Sequence, residues 1–236
     1  MSVLPKRKKG AFVVIDGIDG SGKKTQVDLL IKRIRKNGLK VKTIDFPQYE
    51  NNFFGKFIGE CLVGQCGDFA KLDSRIASVL YAADRFESSS KIKKWLREGN
   101  IVIADRYVSS NQIHQGGKLF KEKERQKFLR WLEKMEFEVF KIPKPDAIVY
   151  LNVPLELSLQ LLKNKDNQKK KKYLQGKKDA HENNVRHLSD AMKSALSLVK
   201  ERNNWLEIKC SRNGKMLDRK EIAEMVWKKI KYLLLD

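Results

Sequence analysis

The ten residues Asp16–Thr25 (DGIDGSGKKT) constrain the fold of this chain more than any other stretch. They overlap the end of Gly10–Asp16, a β-branched segment typical of a buried strand, and they precede apolar residues at helical spacing. Between strand and helix, two glycines and a lysine match the phosphate-binding pattern G-x-x-x-x-G-K. In such a loop, backbone N–H groups and the helix N-terminus hold phosphates, and the lysine reaches the β- and γ-phosphates. The stretch therefore predicts a nucleotide site after the first strand.

One position of the loop departs from this pattern. After Lys23 the motif has a serine or threonine whose hydroxyl helps to hold Mg²⁺, and this chain has Lys24 there, followed by Thr25. A simple glycine-rich turn is the alternative interpretation, but Ser21, Lys23 and the strand–helix context favour a phosphate site. The loop alone leaves open whether the metal is held by other residues or the site is degraded.

The remaining sequence alternates between strand-like and helix-like segments. Four further strands are predicted at Leu39–Pro47, Asn100–Asp105, Pro145–Pro154 and Trp205–Cys210. Helices are predicted at Thr25–Asn37, Lys71–Gly99, Lys118–Phe140, Glu156–Asn164, 182–203 and 218–234. One side of the long second helix is apolar, with Ile76, Val79, Leu80, Ala83 and Phe86. This alternation predicts a doubly wound α/β sandwich of about five parallel strands, with ligands at the carboxyl ends of the strands.

Composition narrows the class of protein. The chain has 236 residues, 41% of them apolar, which suits one sizeable domain. Its net charge of +21 suits either a nucleic-acid binder or an enzyme that acts on polyanionic nucleotides. No apolar run approaches the roughly 18 residues of a membrane span, and the run after the basic N-terminus is too short for a signal peptide. We therefore expect a cytoplasmic protein without membrane association.

The three cysteines are predicted to be free, buried thiols. Cys61, Cys66 and Cys210 make an odd number, and no C-x-x-C pair or histidine cluster of metal-site spacing accompanies them.

Two short segments outside the loop carry groups that suit nucleotide chemistry. Asp105 and Arg106 come at the end of a buried strand, where a carboxylate can join the outer sphere of a metal and an arginine can clamp a phosphate. A buried structural ion pair is the alternative. Tyr81 and Arg85 lie one helical turn apart, so they could stack a base and bind its phosphate. A core tyrosine and a solvent-facing arginine would show the same spacing.

Together, the segments DGIDGSGKKTQ, DFP, LYAADR, DRYVSSNQIHQGG, PDAIVYLNVP and DAHE resemble thymidylate kinases, from about Phe12 to the C-terminus. The resemblance implies one P-loop kinase domain over residues 10–236, after a basic tail at 1–9, with a lysine-rich lid at about 163–180. It implies transfer of the ATP γ-phosphoryl group to dTMP, giving dTDP and ADP for dTTP synthesis, with Mg²⁺. It also implies a homodimer, with small nucleotides as partners and no stable nucleic-acid partner.

The same resemblance implies roles for individual residues. The implied catalytic residues are Lys23, Arg106, Asp19 and Asp105. The implied ATP-binding residues are Gly17, Gly20, Ser21, Gly22, Lys23, Lys24 and Thr25. The implied dTMP-binding residues are Phe46, Pro47, Tyr81, Arg85, Arg106, Asn111, Gln112 and His114. The implied metal-binding residues are Asp19, Asp105 and Glu182, directly or through water.

The lid departs from the family pattern, in which an arginine of the lid or of the loop stabilises the migrating phosphoryl group. Between Leu162 and Ala180 the chain has only lysines as cations. Three alternatives therefore stay open: a kinase for another deoxynucleotide or a nucleoside, a basic nucleic-acid-binding ATPase, and an inactive relative. Release of ADP that depends on dTMP distinguishes the leading hypothesis from all three.

Overall fold

The structure, a computed structural model, describes residues 10–166 and 185–235. Five parallel strands form one sheet in the order β2-β3-β1-β4-β5. Their bounds are β1 Phe12–Asp16, β2 Val41–Asp45, β3 Ile101–Asp105, β4 Ala147–Asn152 and β5 Trp205–Lys209. The predicted fold class and strand number are confirmed.

Eight α-helices accompany these strands in the described part of the chain. Their bounds are α1 Lys23–Lys36, α2 Phe53–Leu62, α3 Ser74–Arg97, α4 Val108–Gly117, α5 Glu122–Glu133, α6 Leu155–Asp166, α7 Val185–Glu201 and α8 Arg219–Leu235. A 3₁₀ turn covers Phe69–Lys71, a π-helical segment covers Lys134–Val139, and a short antiparallel hairpin pairs β6 (Ser211–Arg212) with β7 (Lys215–Met216). No helix within these residues is both long enough and apolar enough to span a membrane.

The strand order reverses at β1. Strands β2 and β3 lie on one side of β1, and β4 and β5 lie on the other. Asp45 is in register with Asp105, and Asp105 with Ile15, so Asp16 at the end of β1 comes next to the other two carboxylates along the edge. Ligands of doubly wound sheets bind past the carboxyl ends of the strands at such a reversal.

Helices cover both faces of the sheet. Because successive strand residues point to opposite faces, Phe12 and Val14 pack on one side of β1 while Val13 and Ile15 pack on the other. The first side is covered by apolar residues of α3, α4, α5 and α7, and the second by those of α1 and α8. Both faces of the sheet are therefore buried, as a parallel sheet requires.

Helices α2 and α4 and the β6–β7 hairpin were not predicted from the sequence. Helix α4 has the sequence VSSNQIHQGG, which lacks the apolar residues at spacing three and four that identify an amphipathic helix. The predicted helix Lys118–Phe140 begins later, at Glu122, and changes to π-helix after Glu133. The expected tail at residues 1–9, the part of the expected lid after Asp166, and Glu182 lie outside the described residues.

The prediction for the cysteines was wrong for two of the three. Cys61 and Cys66 form a disulfide with their Cα atoms 4.6 Å apart, whereas Cys210 is a free, buried thiol. The chain folds back between the two half-cystines at Gly64, whose φ of 90° is in the left-handed region and whose N–H donates to the Cys61 carbonyl. This reversal at the end of α2 brings the two cysteines together, although the odd number of cysteines in the sequence had favoured free thiols.

The apolar side of α3 is turned away from the core. Ile76, Val79 and Phe86 are 56%, 41% and 53% exposed. The buried side of α3 is instead mostly small or polar and includes Arg85, which is 2% exposed. Its guanidinium meets Glu136, which is fully buried in the π-helical segment and binds both the Nε and one terminal nitrogen of Arg85. The π-helical segment therefore supplies the partner for a buried cation.

We predict that Glu136→Gln destabilises the protein by about 3 kcal/mol or more, because removing one partner leaves the Arg85 charge buried without compensation. The measurement is the free energy of unfolding from urea titration. The control is Glu224→Gln, because the Arg33–Glu224 pair is 43% exposed on both sides and exposed pairs contribute at most about 1 kcal/mol. Equal losses in the two variants would contradict the prediction.

Candidate active site

The loop after β1 depends on glycine at two close approaches. Gly17 and Gly20 have φ values of 157° and 79°, which disfavour any other residue. A Cβ at Gly17 would lie 2.6 Å from the Ser21 Oγ, and one at Gly20 would lie 2.4 Å from the backbone oxygen of Ser158 on α6. Gly22, the N-cap of α1, has open space where its Cβ would be. The loop thus packs against α6 at Gly20, whereas space remains next to Gly22 at the start of α1.

Lys23 is folded back onto this loop. Its side chain is only 8% exposed, and its Nζ donates to the backbone oxygens of Gly17 and Ile18, both at 2.9 Å. Burial, together with the positive charge of Arg106, lowers the pKa of Lys23 to about 8, although the carboxylates of Asp19, Asp105 and Asp16 oppose this shift. The amine of Lys23 is thus hydrogen-bonded to backbone carbonyls of its own loop. Because its pKa is close to neutral, nearby charges decide how much of it is protonated and able to bind an anion.

Lys24 and Thr25 differ from Lys23 in being exposed. Ser21 is buried, and its hydroxyl has no hydrogen-bond partner within the described residues. The loop therefore presents a cation at Lys24, where the motif has a metal-binding hydroxyl, and a hydroxyl one position later at Thr25.

Asp16 was given no role from the sequence, yet it anchors two elements of the site. It is fully buried and accepts hydrogen bonds from the Gly17 N–H at 2.8 Å, from Ser109 Oγ at 2.5 Å and from Ser110 Oγ at 2.9 Å. The two serines begin α4, so Asp16 ties this helix to the start of the loop. The two serines that follow DRYV in the sequence were the sign that a buried acceptor such as Asp16 lies beside the start of α4.

Arg106 joins the loop to α4. Its guanidinium forms an ion pair with Asp19 of the loop and donates to His114 Nε2 at 3.3 Å. Its own φ is 69°, in the left-handed region that few non-glycine residues adopt, while its N–H donates to the Ile15 carbonyl at 3.0 Å. Such a backbone conformation persists only where the surroundings fix it, and it is common at ligand-binding sites.

Asp105, the neighbour of Arg106, faces the same edge of the sheet. Burial raises the pKa of the Asp105 carboxyl, and the nearby carboxylates of Asp16 and Asp45 add to this, whereas Lys23 and Arg106 oppose it. A cation placed beside this carboxyl would favour its ionised form again.

His114 makes a second contact, with a residue that had not been predicted as part of the site. Its Nδ1 lies 3.3 Å from Nε2 of His187, in the first turn of α7. Burial lowers the pKa of His114 well below 6.5, and the charge of Arg106 lowers it further. The His114 ring is therefore neutral near physiological pH.

The predicted base-binding residues lie on α3, on α4 and after β2. Asn111 accepts a hydrogen bond from Arg85 at 3.3 Å through Oδ1, while its Nδ2 is buried without a partner within the described residues. Tyr81 is half-buried and contacts Phe69 edge-on, with ring centroids 6.0 Å apart. Phe46, followed by Pro47 after β2, is buried against Tyr107. Arg85 and Asn111 thus meet directly, and the Nδ2 of Asn111 stays an unpaired donor among the described residues.

Gln112 is placed differently from its neighbours on α4. Its Nε2 donates to Glu133 of α5 at 3.0 Å, and Glu133 also pairs with Arg202 at 3.0 Å. These three residues line a cleft of about 240 Å³ together with Lys144 and Trp205 at the start of β4 and β5. Adjacent residues of a helix point in different directions, so the contacts of Gln112 give no support to its predicted part in dTMP binding.

Comparison with known proteins decides the family. Residues 15–220 match the family model of thymidylate kinase, which is most of the chain. The chain belongs to the thymidylate kinase family.

Individual thymidylate kinases agree with this. The thymidylate kinase of Mycobacterium tuberculosis (strain ATCC 25618 / H37Rv) is 36% identical over 147 residues, which cover 62% of this chain and 68% of the relative. That of Plasmodium falciparum (isolate 3D7) is 32% identical over 148 residues, covering 63% of this chain and 64% of the relative. The structure of the thymidylate kinase from Candida albicans has the same fold, with a TM-score of 0.71, 22% identity, and coverage of 95% and 92% of the two chains.

Membership makes the chain a dTMP kinase, a phosphotransferase that uses ATP as co-substrate. The resemblance noted in the sequence, the predicted enzyme class and the predicted fold are therefore confirmed. The roles of the individual residues stay predictions.

We predict that this thymidylate kinase takes up a proton when ADP binds at about pH 8.5, because a phosphate raises the pKa of Lys23 above its value of about 8 in the free enzyme. The affinity for ADP is therefore expected to fall as pH rises through this range, because a growing fraction of the enzyme without ADP carries a neutral Lys23. Titration calorimetry in two buffers of different ionisation enthalpy measures the uptake.

The matched variant is Lys23→Arg, whose guanidinium stays charged at this pH. Its expected proton uptake is near zero, and an uptake equal to that of the unaltered enzyme would rule out Lys23 as the source.

Proposed function

We propose that the loop Gly17–Thr25 holds the phosphates of ATP and that Arg106 holds the phosphate of dTMP, so that the γ-phosphoryl group passes in line between them. The observation that carries this proposal is the pairing of Arg106 with Asp19. Through this pair Arg106 contacts the loop at the carboxyl edge of β1 and β3, and this contact supports the proposal.

No general base is needed for this transfer. The acceptor oxygen belongs to a phosphate that is already an anion, and phosphoryl transfer depends on positioning and on cancelling negative charge. Lys23 and Arg106 supply the positive charge that cancels the negative charge of the phosphates. In the structure, the backbone oxygens of Gly17 and Ile18 bind Lys23, and the carboxylate of Asp19 binds Arg106. Substrate phosphates take over those contacts.

The acceptor base is assigned to the pocket formed by α3, α4 and the segment after β2. Tyr81 provides a ring for stacking, and the unpaired Nδ2 of Asn111 provides a buried donor that a base oxygen satisfies. Arg85 is held by Glu136 and Asn111, so it acts as a fixed positive group beside the base. His114 lies next to Arg106 and borders the sugar.

Magnesium fits this site as an ion that arrives with ATP. Within residues 10–166 and 185–235, no three histidine, cysteine, aspartate or glutamate side chains form a group that could hold a metal. Mg²⁺ commonly keeps several waters and binds through one or two carboxylates together with substrate phosphates. Asp19 and Asp105 provide such carboxylates, and Glu182, outside the described residues, is the third candidate. The ion supplies charge neutralisation of the phosphates, and Lys24 leaves the coordination to these acids.

We predict that Arg106→Ala raises KM for dTMP at least tenfold and lowers kcat roughly a hundredfold, because a charge that contacts the migrating phosphate is lost. A coupled assay of ADP release measures both constants, with a panel of nucleoside monophosphates as acceptors and with Mg²⁺ varied. The control variant is Arg212→Ala, since Arg212 is 68% exposed and pairs with Glu221 on the surface.

Near-normal kinetics of Arg106→Ala would remove Arg106 from the site. ADP release that does not depend on dTMP in the unaltered enzyme would contradict the activity itself.

We further propose that a second copy of the chain covers the apolar side of α3, giving the homodimer, and that the enzyme acts in the cytoplasm. The proposed dimer face consists of Ile76, Val79, Phe86 and Phe53. Phe53 is 72% exposed and lies beside α3, where its N–H donates to Glu87, and Phe86 packs on Phe140 with ring centroids 5.3 Å apart. Large exposed apolar patches mark interaction sites.

We predict that Val79→Glu shifts the protein from dimer to monomer, because it buries a charge at the centre of that face. Sedimentation velocity over a range of concentrations measures the state. Tyr232→Glu is the control, since Tyr232 is 55% exposed and lies on α8, which covers the face of the sheet opposite to α3. A monomeric unaltered protein, or a Val79→Glu variant that stays dimeric, would contradict the proposed dimer face.

A further inference from the structure

Four side chains form a continuous line across the site. Asp19 of the loop pairs with Arg106, Arg106 contacts His114 on α4 at 3.3 Å, and His114 contacts His187 on α7 at 3.3 Å. The two imidazole rings lie nearly parallel, with planes 20° apart and centroids separated by 5.3 Å. The line thus connects the loop after β1 with α7, a helix on which no site residue was predicted from the sequence.

The chemistry of the four groups fixes where the protons lie. A guanidinium can only donate hydrogen bonds, so the Nε2 of His114 must accept from Arg106 through its lone pair. The neutral ring then carries its proton on Nδ1, and this N–H donates to Nε2 of His187. His187 in turn carries its proton on Nδ1. One tautomer of each histidine satisfies the whole line.

We propose that His187 is a positioning residue for the transfer. By accepting the Nδ1 proton of His114, it holds His114 in the tautomer whose Nε2 accepts from Arg106. Arg106 is thereby oriented by two acceptors, the carboxylate of Asp19 and the imidazole of His114. The other tautomer of His114 turns an N–H toward the guanidinium, and the Arg106 side chain loses one of the two contacts that aim it.

The packing of α7 against α4 keeps His187 at this distance. A Cβ on Gly117 of α4 would lie 2.9 Å from the backbone nitrogen of Ala191, and the Ser194 hydroxyl donates to the Gln112 carbonyl at 3.0 Å. Leu188 and Ala191 are fully buried in the same contact. These contacts are independent of His187, so the two helices stay together when its side chain is changed.

The electrostatic surroundings favour a neutral His114 ring, as the line requires. His114 faces the positive charges of Arg106 and Lys23 and the single carboxylate of Asp19. A second proton on either ring would place two donors face to face.

The variant that tests this proposal is His187→Phe, which keeps a ring and removes the nitrogen acceptor. Its expected KM for dTMP is roughly tenfold higher, the size of one hydrogen bond to a charged system, with KM for ATP and kcat within about twofold. His187→Gln offers an amide oxygen to the Nδ1 proton and is expected to keep KM for dTMP within about twofold of the unaltered enzyme.

The ¹⁵N chemical shifts of His114 provide a readout that a merely structural role would not move. The unaltered enzyme and His187→Gln are expected to show the Nδ1–H tautomer, and His187→Phe is expected to lose it. If His187→Phe does not fold, His187→Leu takes its place with the same expectations.

Two results would overturn the proposal. One is an unchanged KM for dTMP in the variant without an acceptor, and the other is an unchanged His114 tautomer in that variant. The inference rests on the proposed contact of Arg106 with the dTMP phosphate, and the measurements separate the two. The kinetics of Arg106→Ala test that contact, whereas the tautomer of His114 is observed without substrate.

Discussion

The balance of charge at the carboxyl edge of β1 and β3 is the constraint on which the rest of this site depends. Three carboxylates, those of Asp16, Asp19 and Asp105, surround the cations Lys23 and Arg106. All five lie in surroundings that exclude much of the water, where an unpaired charge costs several kcal/mol. Each cation is therefore paired within the protein before any nucleotide binds. Under the proposed function, a phosphate replaces those partners, and a magnesium ion that comes with ATP would give the displaced carboxylates a new one.

This balance explains why a lysine after Lys23 is compatible with a kinase. In the usual motif, the hydroxyl at this position contributes one neutral ligand to the metal. Here Lys24 is exposed and adds positive charge at the open start of α1. The acids of the edge remain available to the metal, and the loop keeps its glycines, its lysine and the N-terminus of α1. Under the proposed function, the departure would change which groups hold the ion, while the loop keeps the residues proposed to bind phosphate.

The sheet and the loop could be predicted because their signals are local. A buried parallel strand is an apolar run, and Gly17, Gly22 and Lys23 stand at fixed spacing after the first of them. Helix α4 could not be predicted in this way, since its contacts are polar and depend on partners far away in the sequence, such as Asp16 for Ser109. The partner of Arg85 is equally non-local, because Glu136 reaches it only through a π-helical segment. The disulfide between Cys61 and Cys66 depends on a chain reversal at Gly64 that composition does not reveal.

Helix α4 shows why such a polar helix is fixed so firmly. Its first turn bonds to Asp16 through Ser109, Asn111 meets Arg85 of α3, and His114 meets Arg106. Gln112 points to Glu133 on the opposite side, and Gly117 allows α7 to approach within contact distance of the backbone. Each side of the helix therefore has its own hydrogen-bonding or packing partner, and a rotation of the helix would break several of them together. Helix α4 therefore holds His114 in a fixed position. A change in the hydrogen bonding of His114 is then expected to alter the orientation of Arg106 and to leave the helix in place.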